Sequence, residues 1–382
     1  MAKQGILVLD SDIHVMEPHD LWLNYIDPRF RDRAPKRVPR EDGPDGVGDV
    51  WQCEGKAIPA YSDHPQRSAQ NRVRHQRSLE QGERYADARA RSYDAVSQLQ
   101  AMDVEGIDVA VVFRTLASHV IAIDGMDPDL AAANCRAFNR WVADYCGQDR
   151  DRLKPSAIIP LHDVDKAVEE AEYAVGHLGH VAVVLPSNPV NNRQLYDPYY
   201  DKLWSAVQEM GVPVTFHGIH AAYQEHIANR FLDNLTLAHA SSHPIELMLA
   251  MGAMICGGVF QRFPELQAAY LEGTCSWLPW WLWRLDDEWE KFGRGERVQL
   301  EGQPSDYFHR HCYVSVDPGE TLVKQVIDVL GDDRLVISTD WPHDDSAYPH
   351  AIENFLAIEG LTVDAKFNVL WHNAARLYGL AG

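Results

Sequence analysis

The strongest constraint on this chain is an alternation. Short runs of β-branched and apolar residues recur, each followed by a stretch with helical spacing. The pattern predicts strands at residues 6–10, 109–113, 156–160, 181–185, 213–217, 267–272, 312–316 and 335–339. It predicts helices at 93–102, 129–145, 164–178, 198–210, 244–255, 277–291, 320–330 and 352–357. Parallel strands need a crossover between them, and a helix is the usual one. Eight strand–helix units therefore read as an α/β fold, a closed (β/α)8 TIM-type barrel. An open doubly wound sheet competes, but no glycine-rich phosphate turn follows the first strand.

Two segments break the rhythm. Residues 28–90 are rich in Arg, Asp, Gly and Pro, long for a connection, and follow the first strand. They read as a lid or oligomer arm on the face where such barrels do chemistry, or as a partly disordered surface insertion. A second insertion covers 218–243, and a polar loop covers 293–311. Residues 365–380 read as a closing helix packed by Phe367, Leu370, Trp371 and Leu377. All 382 residues then form one barrel domain.

Charge narrows the function. Against 56 Asp and Glu there are 35 Lys and Arg, a net −21. Phosphate backbones and anionic lipid surfaces both call for a basic footprint, so neither nucleic acid nor membrane is an expected partner. No apolar run approaches the roughly 18 residues of a span. The apolar start at 6–9 is too short for a secretory signal. The six cysteines form no CxxC pair, which suits free thiols in a reducing cytoplasm. A small-molecule enzyme is the expectation, with a homodimer built through the arm.

In a parallel barrel the working side chains sit at the C-terminal ends of the strands. Strand one ends in Asp10-Ser11-Asp12-Ile13-His14, and in extended geometry Asp12 and His14 point the same way. That spacing lets a carboxylate and an imidazole reach one cation. Strand five ends at His217, strand six at Glu272, and strand eight at Asp340, followed by Trp341-Pro342-His343. Any one of these could be a helix cap or a satisfied core group. Four such endings together point to a metal site. Arg114, ending strand two, could pair a substrate carboxylate or a structural acid. Trp341 is a candidate substrate contact. Trp277, Trp280 and Trp281 share a helical face, expected as core, with Trp277 nearest the active site.

Asp12-Ile13-His14 with Met16-Glu17-Pro18, the run from Gly258 to Leu266, and Ser338-Thr339-Asp340-Trp341-Pro342-His343 occur in the order found in the amidohydrolase superfamily. The sequence resembles the branch of aminocarboxymuconate-semialdehyde decarboxylase and the γ-resorcylate-type decarboxylases. The resemblance implies metal ligation by Asp12, His14, His217 and Asp340, a donor set open to Zn²⁺, Mn²⁺ or Fe²⁺. Where those decarboxylases carry an acid/base His at the end of strand six, this chain has Glu272.

Glu272 can move a proton or ligate and bridge metal. His243 and His343 could complete a second site, giving one or two metals per chain. Alternatively His243 simply starts the helix begun by Pro244. Three functions follow. The first is a lyase or hydrolase acting on a cyclic or aromatic carboxylic acid or its derivative, with Glu272, Asp340 and His243 in catalysis. The second is a dinuclear non-haem iron monooxygenase acting on a hydrophobic polycyclic acid. The third, a barrel with a vestigial site, leaves nearly every ligand type unexplained. The first ranks ahead on the activities common in the superfamily.

Overall fold

The computed structural model describes residues 5–39, 49–58, 84–218, 227–231 and 233–380. Its strands are β1 (Leu9–His14), β2 (Lys36–Pro39), β3 (Asp49–Cys53), β4 (Lys56–Ile58), β5 (Val109–Phe113), β6 (Leu153–Ile158), β7 (Ala182–Pro186), β8 (Val214–His217), β9 (Ala268–Leu271), β10 (Cys312–Val316) and β11 (Leu335–Ile337). Eight of them form a parallel sheet in the order β1-β5-β6-β7-β8-β9-β10-β11. The sequence places a helix after each, as a (β/α)8 barrel requires. Most of these strands are buried along their whole length, which is why they read as near-continuous apolar runs. Asp and Asn side chains start the helices: Asp94 accepts from Ser97 N–H, Asp163 from Lys166 N–H and Asn234 from Leu237 N–H.

The barrel closes where β1 meets the chain just past β11. Asp340 N–H donates to the Asp12 carbonyl at 3.0 Å, and His14 N–H donates to the Trp341 carbonyl at 2.7 Å. The buried Asp10 carboxylate spans the same seam. It accepts from Asp12 N–H at 3.1 Å and Thr339 N–H at 3.2 Å, and from the Thr339 hydroxyl. Burial pushes its pKa up to about 8, against those hydrogen bonds.

Several predicted boundaries move. Strand one runs to His14 and does not end at Asp10, because a bulge between Asp10 and Ile13 keeps the polar run inside the sheet. Strand three starts at Leu153 and stops at Ile158, while strand eight stops at Ile337. The helix predicted from Pro244 begins at Leu235, so Pro244 lies inside it and much of the second insertion is helical. The closing segment bends through a π turn at Asn368–His372, between the short helices Val363–Phe367 and Asn373–Leu377.

The described part of the 28–90 insertion carries the antiparallel sheet β2-β3-β4 and a helix at Ala86–Ala90. Its Phe30, Cys53, Ile58 and Tyr85 join the same buried cluster as the barrel residues. The six cysteines are free thiols. Among the described residues, no helix is long and apolar enough to cross a membrane.

Asp10→Ala should lower the unfolding free energy by about 2–4 kcal/mol, since it orphans buried donors on both sides of the seam. Denaturant titration measures this, and a loss below about 1 kcal/mol would contradict the seam's role.

Candidate metal centre and active site

Donor atoms from β1, β8 and the turn after β11 gather around His14 Nε2. His14 Nε2 lies 3.2 Å from Asp12 Oδ1, 3.1 Å from His217 Nε2 and 3.2 Å from Asp340 Oδ1. Asp12 Oδ1 and His217 Nε2 are themselves 3.1 Å apart. The far side of each of the first three donors is pinned. His14 Nδ1 lies 2.7 Å from the Arg114 carbonyl. A carbonyl only accepts, so Nδ1 carries the proton and Nε2 turns its lone pair to the cluster. His217 Nδ1 faces the Gly218 carbonyl at 3.0 Å and Glu272 Oε2 at 2.9 Å, which fixes the same tautomer. Asp12 Oδ2 accepts from Ser338 Oγ at 3.2 Å.

The fourth donor is Asp340. Its backbone is left-handed, with φ +56°, and so is that of Glu272, with φ +63°. Side-chain-bearing residues adopt this region at a cost of roughly 1–3 kcal/mol, and functional sites are where that cost tends to persist. Asp340 Oδ1 lies 2.6 Å from His343 Nδ1 as well as near His14. Neither contact has hydrogen-bond geometry, so this buried oxygen has no donor of its own. The donor atoms fall into two groups that share His14, one of Asp12, His14 and His217 and one of His14, Asp340 and His343, each within 4.8 Å, and imidazoles with carboxylates at that spacing fit a divalent cation.

The remaining predicted residues surround the cluster. His343 stacks on His14 with ring centroids 4.1 Å apart, and its Nε2 meets Thr115 Oγ1 at 3.0 Å. Glu272 stands on the outer nitrogen of His217, one imidazole away from the donor cluster. Its Oε2 is also 3.5 Å from His243 Nδ1. His243 lies mid-helix, where the sequence allowed it at a helix start, and is buried. It reaches the end of β8 only because residue 218 is glycine: a Cβ there would sit 2.5 Å from His243 Nδ1.

Arg114 is 1% exposed, and its Nε and Nη2 have no hydrogen-bond partner. Trp341 is packed edge-on to Tyr85 and Tyr93 and does not line the site cavity. Trp277 Nε1 donates to the Gly273 carbonyl at 2.8 Å. Of the indole stripe expected as core, Trp277 and Trp281 pack against the core, while Trp280 is 53% exposed.

Sequence reasoning missed Thr115, which has no local signal. It also passed over Asp10, although Asp10 precedes Asp12 at the strand period of two. Glu17, noted only as part of a motif, accepts the N–H groups of Thr115, Leu116 and Ala117 at 2.9–3.0 Å and so holds the end of β5.

A cavity of about 290 Å³ opens beside the cluster, lined by Glu272, Asp340, His243, Asp317 and Asp345 among others. A larger groove of about 1440 Å³ runs between the outer helices Leu235–Cys256 and Leu278–Phe292, and none of the donors line it. The smaller cavity is the one that Asp340, Glu272 and His243 line.

Protons balance the charge of the metal-free site. Burial disfavours a charged His217, but Asp12 and Glu272 outweigh it and push the ring up to about 9. His343 is likewise pushed up to about 10, burial being overcome by Asp340 and Glu272. Burial, then His343, holds His14 below its ordinary value. Burial works to raise Asp12 and Glu272, but the neighbouring imidazoles hold both well below the usual carboxylate range. Burial raises Asp340 to about 6, with Glu272 adding and His343 opposing.

The family model described as Amidohydrolase matches residues 10–380. The chain belongs to the amidohydrolase family. The γ-resorcylate decarboxylase of a Rhizobium species is 28% identical over 299 residues, covering 75% of this chain and 87% of that protein. An amidohydrolase from Mycobacterium avium subsp. paratuberculosis shares the fold with a TM-score of 0.77 at 21% identity, covering 98% of this chain and 100% of that one. The 5-carboxyvanillate decarboxylase of Novosphingobium aromaticivorans, solved with manganese and 4-hydroxy-3-methoxy-5-nitrobenzoic acid, aligns with a TM-score of 0.69 at 20% identity, covering 99% and 97%.

Cation binding needs His217 Nε2 free, so it should expel about one proton per chain at neutral pH. Affinity should therefore rise with pH until His217 has titrated, at about 9. Calorimetry of Mn²⁺ binding in buffers of different ionisation enthalpy reads this proton directly, and binding without proton release would contradict the assignment.

Proposed function

We propose that this amidohydrolase-family enzyme is a metal-dependent, non-oxidative decarboxylase of a compact hydroxylated aromatic or related cyclic carboxylic acid. One observation carries the reading: a fully buried guanidinium, Arg114, has two unpartnered nitrogens, Nε and Nη2, in the field of Glu272 and Asp12. Burial lowers its pKa to about 10, so it stays cationic at neutral pH. Leaving buried donors unmade costs roughly 1–3 kcal/mol each, a cost that a bidentate substrate carboxylate would offset. The relatives support the same substrate class, since they are named for decarboxylating aromatic acids.

In this reading Asp12, His14, His217 and Asp340 hold one divalent cation, manganese or zinc. When bound, the cation supplies positive charge against which substrate oxygens are oriented and polarised. Arg114 binds and orients the carboxylate. As the C–C bond breaks, its electron pair stays on the ring carbon and CO2 departs. Glu272, in the cavity wall, delivers the proton that the carbon takes up, and His243 behind it resupplies that proton. Glu272 is ionised in the metal-free site, so it takes up the proton it delivers before each transfer, on the cavity side that it lines. The cavity, about 290 Å³, is at the small end for ligand sites and suits one substituted ring better than a polycycle. The relatives lend no support to a di-iron oxygenase.

Protein loaded with Mn²⁺ should release CO2 from one or more hydroxybenzoates in a single-ring panel, without consuming O2. Arg114→Met should raise KM at least about tenfold, the loss of a charge-assisted contact. Oxygen uptake, or hydrolysis with no CO2, would overturn the reading. Elemental analysis should find about one metal per chain, retained in Glu272→Ala while turnover falls by about 10²–10⁴. Two metals per chain, with one lost in the variant, would make Glu272 a ligand.

A further inference from the structure

We propose that Arg84 and Tyr85, where the 28–90 insertion returns to the barrel, are positioning residues for the cation site. They hold the loop at 341–348 so that Asp340 stays in reach of His14 while paired with His343. The proposal rests on the reading that Asp340 binds the cation.

The contacts are long-range and specific. Arg84 Nη2 donates to the Asp344 carbonyl at 2.7 Å, and Nη1 donates to the carbonyls of Ser346 and Tyr348 at 3.1 and 3.2 Å. The Tyr85 hydroxyl donates to the His343 carbonyl at 3.1 Å. Two adjacent side chains thus serve four carbonyls between residues 343 and 348. The Tyr85 ring stacks on Tyr348 with centroids 5.5 Å apart and meets Trp341 edge-on at 6.5 Å.

This loop is neither helix nor strand, so its carbonyls have no ladder to satisfy them. Past Trp341, whose carbonyl takes the His14 N–H, its own backbone bonds are short-range, such as His343 N–H to the Asp340 carbonyl at 3.0 Å and Ser346 N–H to the His343 carbonyl at 3.2 Å. The forked guanidinium ties what these leave open, from two nitrogens held in one rigid plane rather than from a single flexible ammonium.

Asp340 needs such a holder. Its left-handed backbone persists only where the surroundings over-determine it. Upstream, the seam to β1 fixes it. Downstream, the chain turns into the loop that Arg84 and Tyr85 grip. The same grip sets the cavity wall, since Asp345 and Ser346 line it. Neither Arg84 nor Tyr85 lines the cavity, so both act through the loop and not on substrate.

The test is Mn²⁺ titration of the full-length chain, with electron paramagnetic resonance of the bound ion, for wild type, Arg84→Ala, Arg84→Lys and Tyr85→Phe. Loss of an outer holder typically weakens metal binding 10–100-fold, so Arg84→Ala should bind Mn²⁺ at least about tenfold more weakly. Arg84→Lys should fall between it and wild type. Tyr85→Phe, losing one hydroxyl, should weaken binding about threefold. The spectrum of the bound ion should broaden in the same order, while the unfolding midpoint of metal-free protein stays near wild type. A purely structural role gives the opposite: a lowered midpoint with unchanged Mn²⁺ affinity and spectrum, which overturns the proposal. Should Arg84→Ala fail to fold, unchanged affinity in both Arg84→Lys and Tyr85→Phe overturns it equally. If wild type binds no Mn²⁺, the reading of the site falls, and the proposal with it; wild-type binding with unaltered variants sinks the proposal alone.

Discussion

Two backbone hydrogen bonds join the first and last strands of the barrel, and they belong to the residues that carry the chemistry. Asp340 N–H reaches the Asp12 carbonyl, and His14 N–H reaches the Trp341 carbonyl. Among the described residues no strand ladder joins β1 to β11, so these bonds, with the Asp10 carboxylate across Thr339, make the seam. The side chains of Asp12, His14 and Asp340 are therefore placed by the same bonds that close the sheet. A bulge in β1 lets successive polar residues stay buried there. Held from both sides, Asp340 keeps a backbone conformation that costs roughly 1–3 kcal/mol elsewhere.

Burial then decides the electrostatics. Carboxylates removed from water need compensating charge, because desolvation is expensive. In the metal-free protein that charge comes from protons on His217 and His343, both shifted upward by the acids beside them. A divalent cation can take the place of such protons, which ties its affinity to pH. Arg114 is the complementary case, a buried cation whose Nε and Nη2 have no hydrogen-bond partner. Glu272 faces the outer nitrogen of His217 and also His243, and in the proposed function it orients one ligand and passes a proton.

Much of this was legible in the sequence, because both barrels and metal sites obey positional rules. The eight apolar runs gave the parallel sheet. Asp12, His14, His217 and Asp340 stood out because strand ends deliver working residues in this architecture. What failed had physical causes. The Asp10–Asp12 polar run resembles a strand end, and only cross-seam partners such as Ser338 and Thr339 keep it inside the sheet. Pro244 was read as a helix start, the position that its missing N–H favours, but the helix runs through it from Leu235. The Trp277, Trp280 and Trp281 spacing suggested core, and Trp277 and Trp281 do pack there, but Trp280 sits on the outer side of its helix and is exposed. Thr115, Arg84 and Tyr85 act across more than two hundred residues of sequence, where no local spacing rule reaches.

The central claim is that one cation is held by Asp12, His14, His217 and Asp340. X-ray absorption spectroscopy of the chain loaded with manganese or zinc tests it most directly. The account predicts two imidazole ligands, oxygen neighbours at carboxylate distance and no metal–metal scattering. A metal–metal vector, or a third and fourth imidazole from His243 and His343, would contradict it.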